Sequence, residues 1–285
     1  MTEKLERRKR HYRSVFISDI HLGYHHCRAD FLLDFLKQTR CDTLYLIGDV
    51  IDMWALKNRY YWPKRHNTVL KRLIKIAARG NTKVIYIPGN HDAIARNIAG
   101  DKILNIEVHR EYVHTMADGR KFLLCHGDEF ENAIRHSRLN KMVGDIGYDL
   151  LLFCNKAGNR IRKWMGRPYW SAATYLKNRV EKARKTIELY EEAAAAEAAE
   201  RGLDGVICGH IHQPEIRKIN DVLYCNDGDW TESCTALVED ESGWLELMHW
   251  SDTQQSLKKD QDDEEKNEPL LVLPRPQVLD TPRKK

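Results

Sequence analysis

Five short fragments concentrate the side chains that bind cations and move protons. They are Asp19-Ile20-His21, Gly48-Asp49-Val50-Ile51-Asp52, Gly89-Asn90-His91-Asp92, His126-Gly127-Asp128 and Gly209-His210-Ile211-His212. Their donors are carboxylate and amide oxygens and imidazole nitrogens, with no thiolate among them. That mixture suits borderline-hard divalent ions such as Mn²⁺, Fe²⁺ or Zn²⁺. In an extended segment, residues two apart point to one side, so Asp19 with His21, and His210 with His212, are spaced to grip one ion together. Glycines at 48, 89, 127 and 209 let the backbone turn sharply beside such a centre. Any one fragment alone is more often a turn beside a strand. Five in this order, each following an apolar run, point to a metal site.

The surrounding elements have to bring the five together. Ser14 to Ser18 reads as a buried strand, Arg28 to Gln38 as an amphipathic helix and Thr43 to Ile47 as a second strand. A helix near His66 to Arg79 and a strand from Lys83 to Ile87 follow, the latter closed by Pro88-Gly89. Strands alternating with helices predict a mostly parallel sheet, and ligand sites in such sheets form at the carboxyl ends of the strands. Later strands are expected at Lys121 to Cys125, Gly205 to Cys208, Val222 to Cys225, Thr235 to Val238 and Trp244 to Met248. The last three are closely spaced and read as antiparallel, which predicts two layers of sheet. Between Glu129 and Gly202 strand signals vanish. The last helix there runs from about Ser171 to Arg201, with Tyr175, Leu176, Val180, Ala183 and Ile187 at helical spacing and Gly202 as its stop. Alanines 193 to 196, 198 and 199, with Glu197, are good helix-forming composition and need no functional reading. The expected organisation is a basic tail over 1–13, a catalytic domain over 14–250 with a helical cap inserted at 129–202, and a charged, proline-containing, disordered tail over 251–285.

Composition narrows the class. Of 285 residues, 42% are hydrophobic, enough for a core, and 31% are charged, as in a soluble protein. Apolar runs such as Leu150 to Cys154 fall far short of the roughly 18 residues that cross a bilayer. The basic start (Arg7, Arg8, Lys9, Arg10) is followed by no signal-like apolar core. Seven scattered cysteines without C-x-x-C spacing argue for a reducing compartment and against a disulfide framework or a thiolate zinc site. A net charge of +4 is small and gives no indication of nucleic acid. The expected location is the cytoplasm.

The ordered pattern D-x-H, G-D-x-x-D, G-N-H-D, H and G-H-x-H, met from Asp19 to His212, resembles the calcineurin-like metallophosphoesterase superfamily. The resemblance implies a four-layer α/β/β/α sandwich and two divalent ions, with Mn²⁺ the first choice and Fe²⁺ or Zn²⁺ the alternatives. It implies that Asp19, His21, Asp49 and His212 hold one ion, that Asp49 bridges, and that Asn90, His126 and His210 complete the second. Such a pair clamps the attacking and leaving oxygens of an in-line displacement. His91 is implied to stabilise or protonate the leaving oxygen, with Asp92 orienting its ring. Asp52 is read as a carboxylate that supports the ligands from behind.

Within the superfamily, residues 14 to 250 are similar to the bacterial UDP-2,3-diacylglucosamine pyrophosphohydrolases and their relatives. Trp54, the His126-Gly127-Asp128 triplet before a helical insertion, and Gly228-Asp229-Trp230 carry that likeness. It implies attack on the α-phosphorus of a UDP-sugar lipid with release of UMP, in lipid A synthesis at the cytoplasmic face of the inner membrane. One departure is His91, where those enzymes have arginine; the two differ in charge and hydrogen-bond geometry. Glu129, Glu131, the long charged helix and the C-terminal tail also differ. Leu150 to Phe153, followed by Lys156, Arg160, Arg162, Lys163, Trp164, Arg167 and Trp170, suit a membrane interface, a slot for acyl chains, or simple packing of the cap on the core. Tyr60, Tyr61 and Trp62 suit either stacking on a base or sugar, or covering the core. The alternative function is a soluble phosphodiesterase or phosphatase acting on another nucleotide or phosphoester. A third is a metal-holding binding protein without turnover, against which stands the presence of all seven ligands and His91.

Overall fold

The computed structural model describes residues 10–134 and 172–250, with side chains of the long helix described from Ala183 onward. The chain enters through β1 (Arg10–Ile17), α1 (Ala29–Gln38) and β2 (Thr39–Ile47), then α2 (Met53–Asn58), α3 (Lys64–Ala78) and β3 (Lys83–Ile87). Short strands β4 (Lys102–Ile103), β5 (Ile106–Val108), β6 (Tyr112–Thr115) and β7 (Lys121–Leu124) follow. After the long helix α4 (Ala172–Glu200) come β8 (Gly205–Cys208), β9 (Glu215–Ile219), β10 (Val222–Asn226), β11 (Thr235–Glu239) and β12 (Leu245–His249).

Two sheets result, one ordered β12-β11-β1-β2-β3-β5-β4 and the other β6-β7-β8-β10-β9. β1, β2, β3 and β5 run parallel, as do β7, β8 and β10. The apolar halves of β1 and β2 are buried on both faces, which is why they read as unbroken hydrophobic runs. Side-chain alternation sorts the core into three layers. Val15, Ile17, Leu44 and Leu46 pack outward against Leu32 and Phe35 of α1 and Val69 and Leu73 of α3. Phe16, Tyr45, Ile47 and Ile87 face inward and meet Phe122, Leu124, Ile207 and Cys225 of the second sheet. The other face of that sheet, Leu123, Val206 and Tyr224, lies under Tyr190, Ala194, Ala195 and Ala198 of α4. Helices, sheet, sheet, helix: this is the four-layer α/β/β/α arrangement expected.

Several local features differ from expectation. β1 starts at Arg10, inside the stretch assigned to a tail, because Arg10 and His11 pair with Thr39 and Arg40 of a longer β2. β11 and β12 form the antiparallel pair expected, but β10 belongs to the other sheet, parallel to β8 and antiparallel to β9. The end of the long helix, placed in the cap from sequence, lies over the second sheet as the fourth layer. There the alanine-rich turns are the packed face, since small side chains let the helix approach closely, while Ala183 is exposed. Of the expected cap, residues 135–171, including Leu150 to Trp170, lie outside the described residues, as do the two tails apart from the Arg10–Arg13 start of β1. No described helix is long and apolar enough to cross a membrane.

Parallel register fixes where the motifs emerge. Ile17 pairs with Leu46, and Ile47 with Ile87; in the second sheet Leu124 pairs with Ile207, and Cys208 with Asn226. The strands therefore end together, and the five fragments leave the two sheets at one edge.

Candidate metal centre

The loops after β1 and β2 run side by side, joined by Asp19 N–H to Gly48 O (3.1 Å), His21 N–H to Asp49 O (2.8 Å) and Leu22 N–H to Val50 O (2.9 Å). To aim their side chains at one point, Asp19, His21, Asp49, His210 and His212 all adopt left-handed backbone, with φ of 49°, 53°, 52°, 70° and 55°. Each such residue costs about 1–3 kcal/mol, and strain of this kind collects at functional sites. Gly89 is required for a different reason. A Cβ there would collide with the Asp49 carboxylate and the His126 ring.

Three groups could each hold an ion: Asp19 with His21 and His212, Asp49 with His126 and His210, and His21 with Asp52 and His91, the first two being the clusters that the motif pattern implies. Asp19 is fully buried. Its Oδ2 accepts from His210 N–H (2.8 Å) and from the Ser18 hydroxyl (2.6 Å). Its Oδ1 lies 3.0 Å from His212 Nε2 and 3.6 Å from His21 Nε2. Yet Oδ1 and the buried His21 Nε2 have no hydrogen-bond partner. Such groups cost about 1–3 kcal/mol each if left unmet. Asp49 stands between the clusters: its Oδ1 accepts from His91 N–H (2.8 Å), while Oδ2 lies 3.4 Å from His126 Nε2 and 3.9 Å from His21 Nε2.

Three of the rings are held from behind. His126 is buried and donates from Nδ1 to Ile47 O (3.0 Å), which leaves Nε2 facing Asp49 and, at 3.2 Å, Asn90 Oδ1. Asp52 grips two rings at once, with Oδ2 3.0 Å from His21 Nδ1 and Oδ1 2.9 Å from His91 Nδ1. It also caps α2 by accepting from Ala55 N–H (2.7 Å). His91 turns Nε2 to within 3.9 Å of Asp49 Oδ2 and is stacked by the exposed Trp54, with ring centroids 4.2 Å apart.

Electrostatics support a cation site. Burial alone pushes Asp19 up, but His21 and His212 outweigh it and hold the carboxyl well below the usual range. Burial likewise works against charging His21 and His126, yet the neighbouring carboxylates raise each to about 10. His210 is pushed down to about 4 by burial and by the charge on His126. The pocket stabilises positive charge on its own side chains. Its unmet oxygen and nitrogen, with an all-O/N donor set, fit divalent ions.

One expected role is corrected. Asp92 does not orient His91; its carboxylate accepts from Gly89 N–H (2.6 Å), Val50 N–H (2.7 Å), Asp49 N–H (3.3 Å) and Ile51 N–H (3.4 Å). It clamps the second motif to the third, and Asp52 holds the His91 ring instead. Sequence reasoning missed three further groups. Ser18 links Asp19 to buried Asp227 (2.6 Å to each), and burial pushes Asp227 well up. Arg96 ties the third motif to the fourth through Asp128 (2.6 Å) and Pro88 O (3.1 Å). Glu131 Oε1 lies 2.7 Å from His210 Nε2. Only Glu131 had left a trace in the sequence, as an unusual acid after His-Gly-Asp.

A family model described as calcineurin-like phosphoesterase matches residues 12–214, most of the chain. The chain belongs to that family. Curated relatives carry the name UDP-2,3-diacylglucosamine hydrolase. That of Stenotrophomonas maltophilia is 26% identical over 251 residues, spanning 81% of this chain and 96% of the relative. That of Haemophilus influenzae (strain PittGG) is 22% identical over 244 residues with the same coverage. Among solved structures, Yfce, a phosphoesterase from E. coli, is 14% identical with a TM-score of 0.42, covering 83% of this chain and 98% of its own. The family assignment makes the two clusters candidate halves of a binuclear metal centre.

Proposed function

We propose that this phosphoesterase hydrolyses the pyrophosphate bond of a UDP-diacylglucosamine-like nucleotide-sugar lipid, with release of UMP. The carrying observation is the pair of adjoining donor clusters, with Asp49 between them and His91 at the rim. The name of the relatives, whose length the chain spans almost fully, supports the substrate class. So do exposed Met53 and Trp54, which lie against His91, Met53 N–H donating to His91 O (3.3 Å) and Trp54 stacking on its ring.

Asp19, His21, Asp49 and His212 would hold one ion, and Asn90, His126 and His210 the second together with Asp49. Mn²⁺ is the first choice. Bound there, the ions would supply Lewis acidity and an activated water. The remaining work falls to this chain's side chains. Asp52 accepts the His91 Nδ1 proton and fixes the ring, so that Nε2 can hold a proton for the leaving oxygen. Trp54 closes one face of that ring against water. We place the protein in the cytoplasm, with peripheral contact to the inner membrane.

The second reading, a soluble phosphoesterase on another nucleotide or ester, is favoured by His91 itself, where the UDP-sugar lipid enzymes have arginine. One assay separates the two: Mn²⁺-supplemented hydrolysis of UDP-2,3-diacylglucosamine in detergent, with Asp49→Ala and His91→Ala as controls. UMP release that both substitutions abolish supports the lipid substrate. No release, with an aryl phosphodiester still cleaved in an Asp49-dependent way, keeps the enzyme class and discards the substrate.

A further inference from the structure

At the N-terminal ends of β1 to β3, away from the metal centre, a cavity of about 340 Å³ opens between the sheet and the last turns of α1 and α3. Its floor is apolar, formed by Val15, Phe35, Leu36, Leu44 and Ile76. Its rim carries Arg40, Arg72 and Arg79, and no carboxylate among the described residues lines it. Arg72 spends one nitrogen on capping α1, donating to Leu36 O (2.8 Å), while its buried Nε has no partner. Burial and the neighbouring Arg79 charge both disfavour the Arg72 guanidinium. A negative group at the rim relieves that repulsion, and an apolar group on the floor removes hydrophobic surface from water.

The chain supplies a segment of matching pattern. Beyond Trp250, six carboxylates fall within nine residues (Asp260, Asp262 to Glu265, and Glu268), followed directly by Pro269-Leu270-Leu271-Val272-Leu273-Pro274. Its starting point is close. Trp250 donates from its indole to Asp34 of α1 (3.0 Å) and packs its ring 5.3 Å from Phe35, which lines the cavity. The ten residues from Trp250 to Asp260 reach up to about 35 Å, more than enough to pass along a ten-residue helix about 15 Å long.

We propose that this cavity is the docking site of the chain's own segment 260–274, its acidic run meeting Arg40, Arg72 and Arg79 and Leu270 to Leu273 lying on the apolar floor. Docking ties the far end of the chain to α1, the helix that follows the Asp19–His21 loop. It is separate from the proposed activity and stands or falls independently of it. A short flexible link gives an effective concentration on the order of millimolar, so even a contact of about 0.1 mM affinity protects its surface roughly tenfold.

The test is amide hydrogen exchange on the full chain, read at Gln38–Cys41 and Arg79–Thr82. It compares wild type with two variants altered only in the tail, so that the fold around the cavity is untouched. In one, the six carboxylates become Asn or Gln; in the other, Leu270, Leu271, Val272 and Leu273 become Ser. Exchange about tenfold faster in both variants supports the proposal, and added salt should imitate the first variant but not the second. Equal exchange in all three proteins overturns it. Protection by free dodecyl phosphate that is as strong in wild type as in the variants also overturns it, because the cavity then stands open to a free amphipathic anion.

Discussion

The two ends of the sandwich bury the same chemistry to opposite effect. At the metal end, histidines and carboxylates meet with an oxygen of Asp19 and a nitrogen of His21 unmet, on backbone forced into the left-handed region. At the other end, fully buried Glu239 accepts from Arg13, from His114 Nε2 (2.8 Å) and from Ala117 N–H (2.8 Å), and Tyr45 OH lies 2.8 Å from His114 Nδ1. None of these residues has left-handed backbone or an unmet buried side-chain atom. A satisfied buried network rigidifies a core, whereas one that folding leaves incomplete is arranged around something it has yet to bind. Histidine beside carboxylate is thus no sign of a metal by itself. The unpaired atoms and the strain make the difference.

The sharpest way to break this contrast is Asp19→Asn. Loss of a ligand that carries several kcal/mol of transition-state stabilisation should lower phosphodiester hydrolysis about a thousandfold or more. It should also remove the rise in melting temperature that Mn²⁺ gives the wild type, which at a hundred times Kd corresponds to about 2.7 kcal/mol. Retention of the Mn²⁺ effect in this variant would place the ions elsewhere. Glu239→Gln is the counterpart. Breaking a buried ion pair on one side should cost about 3–5 kcal/mol of stability in denaturant unfolding. Hydrolysis below the melting point and the Mn²⁺ increment should survive. A variant that loses the increment as well would show the two ends to be coupled.

The same contrast explains what the sequence alone makes legible. β1, β2 and β3 were legible because parallel strands buried on both faces are written as unbroken apolar runs, and the motifs at their ends are dense in unusual donors. Lys102–Ile103, Ile106–Val108, Tyr112–Thr115 and Glu215–Ile219 are short or lie towards sheet edges and are only partly buried, so no period stands out. The sheet to which β10 belongs is a matter of its register with β8, a long-range fact that loop length does not encode. Asp92 was misread because adjacency to His91 suggested a partner, whereas the turn after Gly89 sends its carboxylate back into three amides of the second motif. Ser18 and Asp227 carried no signal at all, being a hydroxyl and an acid more than two hundred residues apart.

A third buried imidazole calibrates the comparison. His66 is buried on α3 against Tyr61 and Trp62; its Nδ1 accepts from Gly23 N–H (3.0 Å), and it has no carboxylate partner among the described residues. Burial alone moves it, down to about 4 from an ordinary value near 6.5. The folded protein then binds fewer protons at this site than the unfolded chain between pH 6.5 and 4. Its contribution to stability is whole above about pH 6.5 and is lost as pH falls through that window, by about 3 kcal/mol at most. His66→Asn keeps an acceptor for Gly23 and removes the titration, so the variant should lose less stability than wild type from pH 7 to 4.5. The difference between the two proteins is the observable, since His210, also moved to about 4, contributes to both. Identical pH profiles would mean that His66 is solvated in solution. The distinction between burial, pairing and ion-facing as three fates of a histidine in this fold would then reduce to two.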